Sequence, residues 1–349
     1  MEDGGGMRSG TIGAPLLHAR RRLLLALPAT PALIRGALAQ PAGRLDAVLQ
    51  AAEDLRPLET VIVAQGGAVL AERGYRGQST TRPTNIKSCS KLVVSALVGM
   101  AIERRVLQGT AQPIAPLLAA DLPPDPDPRL AEVTVGHLLS MQAGLASTSG
   151  PNYGAWVGSR NWVRAALAQP FVEEPGGRMV YSTGSTHLLS AILARRGGAP
   201  TLELARRWLG PLPGFAIASW MRDPQGIHFG GNEMAVTPRA LLAFGELFRN
   251  GGVTPAGQRL LSEAWVRESW TIRTQSRFTG DGYGYAWFHR QEAGQDVHYG
   301  WGYGGQMLYV VPSLGVTVAM TSDDGQPGTQ GGHRDALHAL LGRILEAVA

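Results

Sequence analysis

The sequence predicts an α/β fold: an antiparallel sheet flanked by helices, built from both chain ends, with an inserted mostly helical region. Three observations carry that expectation. Short apolar runs of strand character lie near the two ends, and helical spacing dominates the middle. Residues 88–105 are apolar nearly all round, the pattern of a helix buried at the centre of a fold.

In chain order, Thr60 to Val69 holds two apolar runs divided by Gly66-Gly67, which reads as strand, turn and strand. The central helix over 88–105 follows, and then a proline-rich loop at 113–128. Helical spacing recurs near 134–142, 160–168, 184–196, 201–209, 237–250 and 260–269. Thr237-Pro238 is a clear start signal, with a capping hydroxyl followed by proline at the first helical position. Strands are expected again near 283–288, 305–311 and 315–321, and a closing helix near 333–347. This divides the chain into a leader at 1–39, an α/β domain formed by 40–130 plus 270–349, and a mostly helical insertion at 131–269.

Composition narrows the classes of function. At 349 residues, 44% hydrophobic and 17% charged, the chain is long enough to bury a large core and has an ordinary globular balance. It contains no apolar stretch long enough to span a membrane. Of the formal charge of +5, residues 1–39 hold +3 (five Arg against Glu2 and Asp3), which leaves +2 for everything after Ala39. So small and scattered an excess excludes nucleic acid as a partner. The single cysteine, Cys89, excludes an internal disulfide framework and a multi-cysteine metal site. The eight histidines show no metal-ligand spacing, and no G-x-S-x-G elbow is present. The amino end reads as an export signal. Arg20-Arg21-Arg22 precedes Leu23-Leu24-Leu25-Ala26-Leu27, and Ala37-Leu38-Ala39 offers a cleavage site. That reading implies a periplasmic or secreted protein; a disordered leader on a cytoplasmic protein is the alternative.

The chemistry concentrates at Ser88-Cys89-Ser90-Lys91, a Ser-x-x-Lys at the start of the central helix, where positions i and i+3 are neighbours. A serine hydroxyl attacks poorly until a base takes its proton, and a buried neutral lysine can be that base. Lys87 and Lys91 are the only lysines among 32 Lys and Arg. A lysine inside an apolar helix of so arginine-biased a chain points to a need for a removable proton, which arginine cannot meet. The alternative is a lysine that lifts its ammonium to the surface. Cys89 reads as a small buried helix residue rather than a thiol nucleophile. Tyr153, Trp156, Trp162, Tyr283, Tyr285 and Trp287 are available to line a cleft, with core packing as the alternative for each.

Asn85 through Lys91, followed by Val94-Ser95-Ala96-Leu97-Val98-Gly99, resembles the nucleophile helix of the β-lactamase/penicillin-binding-protein-like serine hydrolases, and within them the class C-related branch of 6-aminohexanoate-dimer hydrolases and esterases. Three further stretches match in order: Thr134 to Leu145, Tyr181-Ser182-Thr183-Gly184-Ser185, and Gly300-Trp301-Gly302-Tyr303-Gly304-Gly305-Gln306. The resemblance spans roughly 55–345.

It implies Ser88 as nucleophile, Lys91 as its base, and Tyr181 as the tyrosine that shares and returns the proton. It also implies an oxyanion hole from the Ser88 and Tyr303 N–H groups, and no metal or organic cofactor. Thr183 stands where β-lactamases usually have asparagine. Gly300-Trp301-Gly302 stands at the Lys-Thr-Gly position, judged by its spacing to Pro312, with His298-Tyr299-Gly300 as another register. Glycine and tryptophan cannot grip a carboxylate as that motif's cation and hydroxyl do. The expected substrate is therefore a small ester or linear amide, with Trp301, Gly302 and Thr183 lining its site. Two alternatives stand beside this reading: a β-lactamase or D-aminopeptidase/DD-peptidase, and an inactive binding relative with the same fold.

Overall fold

The computed structural model describes residue 1, residues 35–325 and residues 332–349, so most of the leader expected at 1–39 lies outside the described residues. The chain divides into two units, Met1–Ala39 and Gln40–Ala349, and the second holds every strand described below.

Helix α1 (Arg35–Ala51) leads into strand β1 (Leu58–Gln65), the Gly66-Gly67 turn and β2 (Ala68–Gly74). After the two-residue β3 (Thr84–Asn85) comes a single 3₁₀ turn, Lys87–Cys89, and then α2 (Ser90–Glu103). The middle of the chain holds α3 (Val135–Leu139), α4 (Tyr153–Val157), α5 (Trp162–Leu167), α6 (Thr183–Gly197) and α7 (Thr201–Leu209). Strands β4 (Ile217–Trp220) and β5 (Met234–Val236) interrupt the helices, and α8 (Pro238–Arg249) and α9 (Glu263–Trp270) resume them. The chain returns through β6 (Thr274–Gln275), β7 (Gly282–Tyr283), β8 (Phe288–Glu292), β9 (Gln295–Gly302), β10 (Gln306–Val311) and β11 (Val316–Ser322), and α10 (His333–Val348) follows.

Eight strands form one antiparallel sheet in the order β2-β1-β11-β10-β9-β8-β7-β6. The first and last portions of the chain therefore meet where β1 pairs β11, with Ile62 opposite Ala319. Both faces of the sheet are buried at its centre, which explains why β1, β10 and β11 read as unbroken apolar runs. Ile62, Ala64, Leu308 and Val310 face a core that holds α2 and α8. Their neighbours Val61, Val63, Tyr309 and Val311 face a second core with Leu45 and Leu49 of α1 and Leu337, Leu341 and Ile344 of α10. The period-two alternation is thus real but invisible in polarity.

Two expectations need correction, and another is sharpened. The stretch 283–288 is not one strand. β7 ends at Tyr283, β8 begins at Phe288, and Ala286 between them takes φ +72°, a turn conformation. The alternating aromatics there serve the core, not a strand. Second, the middle of the chain is mostly helical as expected, and within it β4 and β5 join β3 in a small antiparallel sheet of their own. Third, Ser88 does not open the α-helix. It occupies the 3₁₀ turn before α2, and this turn begins at Lys87, whose φ is +47°.

Candidate active site

Lys91 lies in the first turn of α2, where the surrounding helix is apolar on every side, so its ammonium cannot reach water and is only 2% exposed. Its Nζ donates to Ser88 Oγ at 3.0 Å, to the Gly231 carbonyl at 2.8 Å and to Thr183 Oγ1 at 3.3 Å. Burial disfavours the charged form and pushes its pKa down to about 7, well below the ordinary lysine value of 10.5. Such a lysine carries a free lone pair within reach of a serine hydroxyl near neutral pH. The Tyr181 ring lies beside it, with the ammonium nitrogen 5.1 Å from the ring centre, and its hydroxyl is a neighbour of Ser88. Burial pushes the Tyr181 phenol up, so it stays protonated. The arrangement can therefore divide labour, with a lone pair on Lys91 to accept a proton and a protonated phenol on Tyr181 to give one.

Local sequence explains why Tyr181 and Thr183 sit there. The run Ser147-Thr148-Ser149 is stitched to the residues thirty-four positions on, which include the start of α6. Ser147 Oγ donates to the Tyr181 carbonyl at 2.6 Å, Thr148 N–H to Ser182 Oγ at 3.1 Å, and Thr183 N–H to Ser149 Oγ at 2.8 Å. Ser149 Oγ also bonds Thr183 Oγ1 at 2.9 Å, so a serine and a threonine together occupy the polar corner where the family pattern has an asparagine. At the head of α3, Thr134 and His137 form a reciprocal cap, with each side chain bonded to the other's backbone N–H. His137 is thus accounted for structurally.

On the opposite wall, β9 approaches the Ser88 turn so closely that a side chain at either of two glycines would displace a neighbour, and at Gly302 that neighbour is backbone. A Cβ at Gly300 would lie 2.4 Å from Leu92 Cδ1, and one at Gly302 would lie 2.3 Å from the Ile86 carbonyl oxygen. Trp301, between them, lines the cavity with its ring tilted against that of Phe288, their ring centres 6.3 Å apart. Tyr303 also lines the cavity from the turn after β9, with half its surface (52%) exposed. Among the described residues, neither the Ser88 nor the Tyr303 N–H bonds a side chain or a backbone group outside its own element, which leaves both available to an oxyanion.

The cavity has a volume of about 750 Å³, and Ser88, Tyr181, Thr183, Trp301 and Tyr303 all line it. Lys91 stands directly behind Ser88. Gly302, expected among the substrate-binding residues, is instead set back from the cavity, where it permits the close strand approach. The alternative register at His298 fails, because His298 stacks on Trp270 at 4.1 Å, away from the site. Of the six candidate cleft aromatics, only Tyr153 lines this cavity; Trp156 and Trp162 pack together, and Tyr283, Tyr285 and Trp287 belong to the buried core. Cys89 is buried, its Sγ donates to the Gln306 carbonyl, and burial pushes its thiol pKa up. It is no nucleophile.

Sequence reasoning expects the loops around 145–160 and 222–236 to shape the pocket, but it singles out none of Gly231, Asn232, Glu233, Ser149, Phe278 and Arg334. The Gly230-Gly231 pair was the available signal for the first of these. A Cβ on Gly231, whose φ is +87°, would come within 2.8 Å of Lys91 Cγ. Lys87 and Glu233, both in the left-handed region, form an ion pair at 3.4 Å at the cavity edge, and Lys87 also reaches Asp324 at 3.3 Å. Backbone strain of this kind collects at functional sites. Arg334, in the first turn of α10, brings a guanidinium to the cavity wall 5.2 Å from the centre of the Trp301 ring.

The sequence matches the β-lactamase family profile over residues 51–343. The chain belongs to the β-lactamase family. Solved structures with the same fold include one assigned as a 6-aminohexanoate-dimer hydrolase from Bacillus anthracis, at 17% identity and a TM-score of 0.70 over 86% of this chain and 81% of that one. EstCE1, a hydrolase with promiscuous acyltransferase activity, gives 18% identity and a TM-score of 0.70 over 89% and 99%. A class C β-lactamase from Rhodobacter sphaeroides gives 16% identity and 0.65 over 89% and 99%. No curated protein matched by sequence. β-Lactamase-family membership makes this chain a hydrolase-family protein, and the identities of its solved neighbours establish the shared fold alone.

Proposed function

We propose that the protein is a serine hydrolase that cleaves small esters or linear amides through an acyl-enzyme on Ser88. The observation that carries this reading is the 3.0 Å contact between Ser88 Oγ and a lysine nitrogen buried enough to be neutral near pH 7. Lys91 takes the hydroxyl proton as Oγ bonds to the substrate carbonyl carbon. The carbonyl oxygen, now negative, meets the Ser88 and Tyr303 N–H groups. The leaving alcohol or amine departs with a proton from Tyr181, and the proton held on Lys91 restores the phenol. Water then attacks the acyl carbon, gives its proton to the same pair, and frees the acid and Ser88.

The walls support an uncharged acyl group. Tyr153, Phe278, Phe288, Trp301 and Tyr303 give the cavity an apolar, aromatic lining suited to an aryl or alkyl substituent. Arg334 favours a second reading, a β-lactamase or D-aminopeptidase/DD-peptidase activity. It supplies beside Trp301 the cation that Gly300-Trp301-Gly302 lacks, and so a means of holding a substrate carboxylate.

The test is intact-mass spectrometry and steady-state turnover with p-nitrophenyl butyrate, a linear amide and nitrocefin, beside Ser88→Ala. The expected result is a fluorophosphonate or acyl adduct on Ser88 and ester turnover that falls at least about a thousandfold in Ser88→Ala. Rapid nitrocefin cleavage would favour the second reading. A folded protein that forms no adduct and turns nothing over would sink both and leave an inactive binding relative.

A further inference from the structure

A second buried polar pair lies one helical turn from Thr183 and takes no part in the chemistry described above. His187 on α6 and Asp223 in the loop after β4 are both fully enclosed, with Nε2 and Oδ2 3.0 Å apart. Trp156, Trp162 and Phe229 surround the imidazole, with ring centres between 5.6 and 5.9 Å from its own. Burying a carboxylate is costly, so a retained buried pair calls for an explanation.

The hydrogen bonds around this pair run in one direction. The N–H groups of Gln225 and Ile227 donate to Asp223 Oδ1, at 2.8 and 2.9 Å. The Gly230 N–H, which can only donate, points at His187 Nδ1 at 3.3 Å. Nδ1 must therefore carry the lone pair and Nε2 the hydrogen, which goes to Asp223. The carboxylate thus selects the imidazole tautomer that can hold Gly230. Gly230 lies directly on α6, where a Cβ would come within 2.3 Å of the Thr186 carbonyl oxygen. The next residue, Gly231, gives its carbonyl to Lys91 at 2.8 Å.

A neutral amine has two N–H bonds and one lone pair. If Thr183 Oγ1 and the Gly231 carbonyl take the two N–H groups, the lone pair is left for Ser88. Both acceptors are held by one face of α6: Thr183 directly, and Gly231 through the residue four positions along.

We infer that His187 and Asp223 are positioning residues, which fix the Gly230-Gly231 backbone so that the Lys91 lone pair faces Ser88. The inference rests on the acyl-transfer reading of Ser88 and Lys91. No group of the pair touches substrate. The titratable groups that face Lys91 itself, the Cys89 thiol and the Tyr181 phenol, are both held uncharged by burial.

The experiment is Asp223→Asn, which keeps the shape of the side chain. The amide oxygen can still accept from Gln225 and Ile227. Its NH₂ then meets His187 Nε2 and forces the ring hydrogen onto Nδ1, where it opposes the Gly230 N–H. Three readouts apply, on protein whose thermal unfolding shows it folded. The ¹⁵N shifts of His187 are expected to report hydrogen on Nε2 in the wild type and on Nδ1 in Asp223→Asn. The chain has only two lysines, so [¹³Cε]lysine spectra resolve Lys91 directly. Loss of the carbonyl that stabilises the ammonium is expected to lower its titration midpoint by about half a unit or more. For p-nitrophenyl butyrate, kcat is expected to fall about tenfold or more, with KM within about twofold of the wild type.

A companion variant, His187→Asn, keeps an acceptor where Nδ1 stood but leaves a void and breaks the link to Asp223. Positioning predicts that it retains more kcat than Asp223→Asn, whereas a purely structural pair predicts the reverse order. An unchanged or raised Lys91 midpoint in Asp223→Asn overturns the inference, even if His187→Asn does not fold. Because that midpoint is read without turnover, an inactive wild type counts against the acyl-transfer reading and leaves the inference to be judged by its own readout.

Discussion

Replacing Lys91 by methionine should destroy activity and raise stability, and the size of the gain should depend on pH in a predictable way. Burial moves the Lys91 pKa from 10.5 to about 7, roughly 3.5 units, and each unit corresponds to about 1.4 kcal/mol. Keeping the ammonium in the fold below pH 7 therefore costs about 5 kcal/mol, an upper figure because the surroundings relax. Between about pH 7 and 10.5 the unfolded chain holds a proton on Lys91 that the folded chain does not. Wild-type stability consequently rises with pH across that window. Below pH 7 both states are protonated and the full cost remains. Methionine has a similar length and no proton, and every other titrating group is common to the two proteins and cancels in their difference. The excess stability of Lys91→Met, measured by urea unfolding at constant ionic strength, should be largest at pH 6 and shrink by about 2–3 kcal/mol between pH 7 and 9. In the wild type, kcat/KM should rise through an acid limb near pH 7 as Lys91 loses its proton. A stability difference that stays flat from pH 6 to 9 would refute the argument, because it would mean that Lys91 is not the neutral base.

The remaining expectations concern the groups around that lysine. Tyr181→Phe should lower kcat for a linear amide about a hundredfold with KM little changed, but lower p-nitrophenyl ester turnover much less, because p-nitrophenolate leaves without a proton. Equal losses on both substrates would show that Tyr181 does not protonate the leaving group. Gly231→Ala puts a Cβ against Lys91 in a backbone conformation with φ +87°. Thermal unfolding should show a loss of about 1–3 kcal/mol, and kcat should fall more than tenfold.

The parts legible in the sequence were those written in local patterns. The apolar run of α2, the Thr237-Pro238 cap and the strand-turn-strand at Gly66-Gly67 are all short-range signals, and the fold class followed from their order. That Ser88, Lys91 and Tyr181 come together was legible because each lies in a recognisable stretch of sequence. What stayed hidden depends on distant segments meeting. The Gly231 carbonyl reaches Lys91 across 140 positions, and Arg334 arrives at the cavity from the last helix. The β8–β9 hairpin escaped notice for another reason. Its sequence, His289-Arg290-Gln291-Glu292 and then Gln295-Asp296, is polar toward its turn, so neither alternation nor an apolar run marked it, and only Ala293 and Gly294 with positive φ betray the reversal. The tryptophans and tyrosines left the choice open, since the same aromatic character suits a cleft and a core.

The glycine-lined face of β9 bears on how this protein's appetite can change over generations. At Gly302 any added carbon would collide with the Ile86 backbone, and at Gly300 it would have to push aside the buried Leu92 side chain, so this strip of the strand resists mutational drift. Around the mouth of the cavity the situation reverses. Phe278 and Tyr303 are 74% and 52% exposed, and exchanging their side chains leaves the core undisturbed. New substrate preferences should therefore accumulate at the rim while the strand beneath stays frozen. A library that randomises both regions should return survivors diverse at 278 and 303 and invariant at 300 and 302.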